Sequence, residues 1–213
     1  MKRLVILLAG ASMLGGCISL LPKPPPPPRT YVLESRDVAQ LQGEPIDAVI
    51  AIAAPTGERV LLGSDLIWHT GNTIAYVDQS QWSNRVGDAL QQLVSETIIR
   101  QGRFRASTRA GEARADYEIR MELLDFEVRE ETMTAHFRAD VRLVAAGRRI
   151  VASQLIETEA PVSDRSSSIA ANALARAARE GSARIGEFAA NAAAEAQAST
   201  TADDHANAAS IRR

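Results

Sequence analysis

The sequence predicts an α+β fold: a mixed, largely antiparallel sheet with two main helices packed on one face. Three observations carry the expectation. From Met133 through Ala135, Phe137, Ala139 and Val141 to Leu143, apolar residues alternate with polar ones, the period of a strand with one buried face. Val86, Leu90, Leu93, Thr97 and Ile98 step by three and four, as do Ala170, Leu174, Ala177, Gly181, Ile185, Phe188 and Ala192, the period of a helical stripe. These patterns run in the order strands, helix, strands, helix, which layers helices against one sheet.

Taken along the chain, Tyr31-Val32-Leu33 opens a short strand. Ala48 to Ala54 is a continuous apolar run ended by Pro55 and Gly57, as expected of a central strand buried on both faces. Residues 66–69 and 73–77 flank Gly71-Asn72 and read as a hairpin. A first helix is expected from about Asn84 to Gln101, capped by Ser83 or Asn84 and closed by Gly102, with Arg85, Gln92, Glu96 and Arg100 facing solvent. Residues 104–108 form a short strand. Apolar residues occupy odd positions from Tyr117 to Leu123 and even ones from Leu124 to Val128, a phase shift that predicts a β-bulge at Leu123-Leu124. Gly147-Arg148-Arg149 turns the chain into a last strand, 150–159, stopped by Pro161.

The last helix is expected to begin near Ser163-Asp164 and run to about Ala194. Its buried stripe is built mostly of small side chains, which suits close packing against a sheet or a second chain. Gly181 and Gly186 each cost about 1 kcal/mol relative to alanine in a helix interior. They read either as points of close backbone approach or as marks of a weak or broken helix. The tail, 196–213, lacks periodicity and is expected to be disordered.

The chain has 213 residues, 46% of them hydrophobic and 4% aromatic, with a formal net charge of −2. That charge argues against a generic electrostatic grip on nucleic acid. Of 24 basic residues only Lys2 and Lys23 are lysines, so the body offers none for a Schiff base or a phosphate loop. No nucleophile elbow, Walker loop or dinucleotide fingerprint occurs. His69, His136 and His205 have no second histidine or carboxylate at local metal-ligand spacing, so neither a metal nor a cofactor is expected. Asp125 and Glu127 alternate on one strand face and Glu130-Glu131 fall in a turn, where solvated charge explains them better than catalysis. The expected class is not an enzyme. Trp68, Tyr76 and Trp82, three of nine aromatic residues, cluster in 66–82. They read either as packing around a hairpin and helix start or as exposed anchors for a protein partner.

The N-terminus carries an address. Met1-Lys2-Arg3 precedes a short apolar stretch ending in Leu14-Gly15-Gly16-Cys17, which resembles the lipobox of bacterial lipoprotein signal peptides. The resemblance makes 1–16 a cleaved signal and Cys17 the lipidated residue, with three acyl chains, palmitate among them, as an effectively permanent anchor. Ile18, where inner-membrane lipoproteins commonly carry Asp, implies the outer membrane, facing the periplasm. Residues 17–29 hold five consecutive prolines, Pro24 to Pro28, which favour an extended spacer. Such a tether holds the domain about 20 Å or more off the bilayer.

From Thr30 to about residue 195 the body resembles the ABC-type transport auxiliary lipoprotein family. The resemblance rests on Thr30-Tyr31-Val32-Leu33, on Ile74-Ala75-Tyr76 followed by Trp82 at a helix start, and on Gln101-Gly102-Arg103-Phe104. Ser83-Asn84-Arg85 departs from relatives that place a proline there. The family implies an outer-membrane lipoprotein that docks the MCE-domain protein of an ABC transport system moving lipids between membranes, as a monomer or a homo-oligomeric ring. A lipid carrier with its own cargo cavity is the competing expectation.

Overall fold

The computed structural model describes residues 26–211, with side chains as far as Ser199. The expected signal peptide, Cys17 and the first prolines of the expected tether lie outside those residues, while Pro26 to Pro28 are exposed and belong to no helix or strand. The described chain forms β1 (Arg29–Tyr31), β2 (Ile46–Ile52), β3 (Thr56–Gly57), β4 (Asp65–Thr70), β5 (Thr73–Trp82), α1 (Val86–Gln101), β6 (Phe104–Arg109), β7 (Tyr117–Arg129), β8 (Thr134–Ala145), β9 (Arg149–Pro161) and α2 (Ser167–Ile211). The fold is α+β, one open, mixed sheet with two helices.

The 13-residue β7 is the spine of the sheet. One of its edges pairs along its whole length with β8, which in turn pairs with β9, both antiparallel. The other edge is shared in succession: Tyr117 to Ile119 pair with β2, Glu122 and Leu123 with β3, and Val128 and Arg129 with β4, all parallel. β6 extends the sheet beyond β2, and β5 and then β1 extend it beyond β4. The register of β7 on β8 shifts between Leu123 and Asp125, where the alternation of apolar residues changes phase. β4 and β5 form the expected hairpin, Thr70 opposite Thr73 across Gly71-Asn72, with Gly71 at φ 56° as a two-residue hairpin turn requires.

Both helices lie against the face bearing Ala135, Phe137, Ala139, Val141 and Leu143, all fully buried. In α2, Ala170, Leu174, Ala177 and Ile185 are buried as the stripe predicts. The helix is continuous through Gly181 and Gly186, which settles their two readings in favour of close approach. A β-carbon at Gly181 would overlap the ring of Phe137, and one at Gly186 would meet the side-chain carbonyl of Gln101 on α1. Phe126 stacks tilted on Trp82, with centroids 5.7 Å apart, and meets Phe137 edge-on at 6.5 Å.

Three boundaries differ from expectation. α1 starts at Val86, and neither Ser83 nor Asn84 caps it; the Val86 amide donates to the Gly63 carbonyl at 2.8 Å, so a neighbouring loop satisfies the helix start. Its C-terminus does close on Gly102 in the left-handed conformation, φ 76°, with the Gly102 amide donating to the Ile99 carbonyl. α2 starts at Ser167 rather than Ser163-Asp164, because Asp164 accepts the Ser166 amide at 2.6 Å in a turn ahead of the helix. Its far end runs to Ile211, through residues expected to be disordered. Ala202, Ala206, Ala208 and Ala209 favour helix there without any apolar stripe.

Candidate functional site

Trp68, Tyr76 and Trp82 do not form one exposed cluster. Trp68 and Trp82 are buried, at 9% and 2% exposure, and belong to the core, which corrects their reading as partner anchors. Strand parity explains this. Trp68 is in register with Val128 of β7, whose side chain points to the helix face, whereas Tyr76 pairs with Ile67 on the opposite face. Tyr76, 60% exposed, and Ile74, 41% exposed, remain as the outward residues of the hairpin.

The turn between β7 and β8 holds this hairpin. The Glu130 carboxylate accepts the indole N–H of Trp68 and pairs with Arg165, and the Glu130 amide donates to the His69 carbonyl at 2.9 Å. Glu131 accepts the Gly71 amide, a bond that holds its carboxyl below the usual carboxylate range. Glu130-Glu131 are therefore a clamp between two turns, not merely solvated charge. Nothing in the local sequence marks them, since their partners are 35 or more residues away.

The sheet face away from the helices is a lattice of charge. Strand pairing sets Asp125 opposite Arg138 and Glu127 opposite His136. On β9, Glu159 stands opposite His136 and Glu157 opposite Arg138. Asp125 accepts from Arg138 at 2.6 Å and from Arg129 at 3.2 Å. Glu127 lies 3.0 Å from His69 Nδ1 and 3.5 Å from Arg129. Asp125 and Glu127 thus serve as ion-pair partners, and with side chains 14% and 6% exposed they are shielded by the sheet and not the solvated charge expected of them.

His136 is 4% exposed. Its Nε2 lies 2.6 Å from Thr134 Oγ1, and its Nδ1 lies 3.1 Å from Glu159 Oε1. Burial lowers its pKa, with Arg129 adding to the effect, so the imidazole is neutral at neutral pH. With Glu157 and Glu159 it forms a group of possible ligands whose donor atoms all lie within 4.8 Å of one another. Local spacing missed this group because its members meet across β8 and β9, more than 20 positions apart in the chain.

Open clefts cut the surface. One of about 400 Å³ is lined by Arg149, Val151, Ala152, Ala192, Glu195, Ala196 and Ser199. Another, of about 260 Å³, runs along Asp116, Glu118, Arg120 and Arg148. Both are edged by charge, unlike the predominantly apolar walls of pockets that bury hydrophobic ligands. Among the described residues no helix is long and apolar enough to cross a membrane.

The family model for the ABC-type transport auxiliary lipoprotein component matches residues 31–186. Among solved structures the chain is similar to XCC0632 from Xanthomonas campestris, a DUF330 protein, with TM-score 0.74 and 18% identity over 79% of this chain and 98% of that one. An uncharacterized protein gives TM-score 0.62 at 12% identity, covering 76% of this chain and 99% of its own. The hypothetical protein CT253 from Chlamydia trachomatis gives 0.50 at 7% identity, covering 70% and 98%. No curated protein matches.

Proposed function

The chain belongs to the ABC-type transport auxiliary lipoprotein component family, and from that premise we propose that it is an outer-membrane-anchored periplasmic lipoprotein that docks the MCE-domain protein of an ABC-type lipid transport system. The family is a transport component rather than an enzyme family, and the chain acts by binding rather than by catalysis. The observation that carries the reading is the order of its parts: a lipobox ending in Cys17, a run of five prolines, then the family domain over 31–186. The acyl chains on Cys17 fix one end, the prolines set the reach, and the domain meets its partner about 20 Å or more from the membrane.

Tyr76 and Ile74 supply the contact. An exposed aromatic beside an exposed branched aliphatic gives a docking surface its anchor, while Trp68 and Trp82 hold the hairpin that presents it. The charge-edged clefts favour this reading over a carrier that encloses its own cargo.

The test is co-purification from membranes of cells expressing the tagged full chain. The proposal expects an MCE-domain protein in the eluate, retention in the outer-membrane fraction that Cys17→Ala abolishes, and a weakened complex for Tyr76→Ala with unchanged far-UV circular dichroism. About one lipid per chain with no MCE partner would establish the carrier instead. Undiminished membrane attachment of Cys17→Ala would overturn the anchor.

A further inference from the structure

Within the charged face, one group differs from the ion pairs around it. The carboxylates of Asp125 and Glu127 are matched to Arg138, Arg129 and His69. Glu157 has no ion-pair partner among the described residues, and Glu159 faces only the imidazole of His136. That imidazole is buried, yet among the described residues its Nδ1 has no hydrogen-bond partner, although a Glu159 oxygen lies 3.1 Å away. A buried ring nitrogen left in this state is costly unless something else occupies the position between it and the carboxylate.

We propose that His136 Nδ1, Glu159 and Glu157 bind one divalent transition-metal ion of the Zn²⁺ class, with water completing the shell. The spacing fits. Imidazole nitrogen and carboxylate oxygen each sit about 2.1 Å from zinc, so two such donors on one ion at ordinary angles lie about 3.0–3.4 Å apart. The observed separation is 3.1 Å. The outer shell fits as well. His136 Nε2 lies 2.6 Å from Thr134 Oγ1, which lies 2.5 Å from Thr132 Oγ1, a hydroxyl chain able to accept an Nε2 proton and so leave the Nδ1 lone pair to the two glutamates. Charge fits too, since Asp125, Glu127, Glu157 and Glu159 stand around the ring against Arg129 and Arg138, four anions to two cations. Nitrogen beside oxygen donors selects a transition metal over Mg²⁺ or Ca²⁺, which take oxygen sets. The ion would tie β8 to β9, whose outer edge is unpaired among the described residues.

The experiment uses the full chain in detergent, stripped with chelator and titrated with ZnCl₂ alone by calorimetry, with melting followed in parallel. One Zn²⁺ per chain and an upward shift of the melting midpoint are expected, with neither produced by MgCl₂ or CaCl₂. The double variant Glu157→Gln/Glu159→Gln, at exposed positions that leave the fold intact, should bind at least about tenfold more weakly and lose the shift. His69→Ala should bind as the parent does. Full affinity in the double variant, a response to Mg²⁺ equal to that to Zn²⁺, or no saturable binding would each overturn the proposal.

Discussion

A methyl group at Gly181 has no room. It would enter the ring of Phe137, a fully buried residue fixed between β7 and α2. Alanine there gains about 1 kcal/mol of helix propensity, but overpacking a close-packed core costs about 1–3 kcal/mol. Gly181→Ala should therefore lower stability in chemical denaturation even though it replaces a poor helix former, and a stabilised variant would contradict the close approach. Gly186 gives the contrast. Its added methyl would meet only the end of the Gln101 side chain, which can swing away at the loss of its 2.8 Å bond to the Ala183 carbonyl. Gly186→Ala should come out within about 1 kcal/mol of the parent. Trp82 and Tyr76 differ in the same way. Trp82→Ala removes a buried ring stacked on Phe126 and should cost about 3–5 kcal/mol, whereas Tyr76→Ala should stay within about 0.5 kcal/mol. Equal melting midpoints for the two variants would sink the assignment of one to the core and the other to the surface.

At the scale of elements, the β7–β8 turn decides how the β4–β5 hairpin and the start of α2 are held. Glu130 takes the Trp68 indole N–H on one side and Arg165 on the other. Glu130→Ala leaves a largely buried indole donor without its acceptor and should cost about 1–3 kcal/mol, read as a lower denaturation midpoint. Arg165→Ala removes only a side chain that is 75% exposed and should cost under about 1 kcal/mol. The clamp also marks the border of what the sequence discloses. The bulge at Leu123, the two-residue hairpin turn and both helical stripes were legible because each is written within one unbroken stretch of the chain. The shared edge of β7, the burial of Trp68 and Trp82, the α1 start satisfied by the distant Gly63 carbonyl and the meeting of His136 with Glu159 were not. Each depends on which strand lies next to which, and strands far apart in sequence are brought together by the sheet as a whole. Alternation told which residues of β8 face one way, but not that β9 would set two glutamates against the polar side of that strand.

Across the whole molecule, the sheet divides the chain into a helix-covered core and a charged face, and carboxylates tie connections at its ends. Glu131 joins the β7–β8 turn to the β4–β5 turn through the Gly71 amide, and Asp164 accepts the Ser166 amide where β9 leads into α2. Both carboxyls are held below their ordinary range, each chiefly by the backbone N–H it accepts. A carboxyl whose pKa is lower in the folded than in the unfolded chain binds its proton first in the unfolded state. Its contribution to stability is therefore present above the unfolded pKa and is lost as pH falls through the folded one. The melting midpoint should accordingly hold steady through neutral pH and fall from about pH 4.5 downward. Replacing both groups, as Glu131→Gln and Asp164→Asn together, should lower the midpoint at pH 7 and make its decline toward pH 3 shallower than in the parent. A decline of unchanged steepness in the double variant, followed by calorimetry at matched ionic strength, would show that these two ties do not carry the acid response and that the ion pairs of the charged face do.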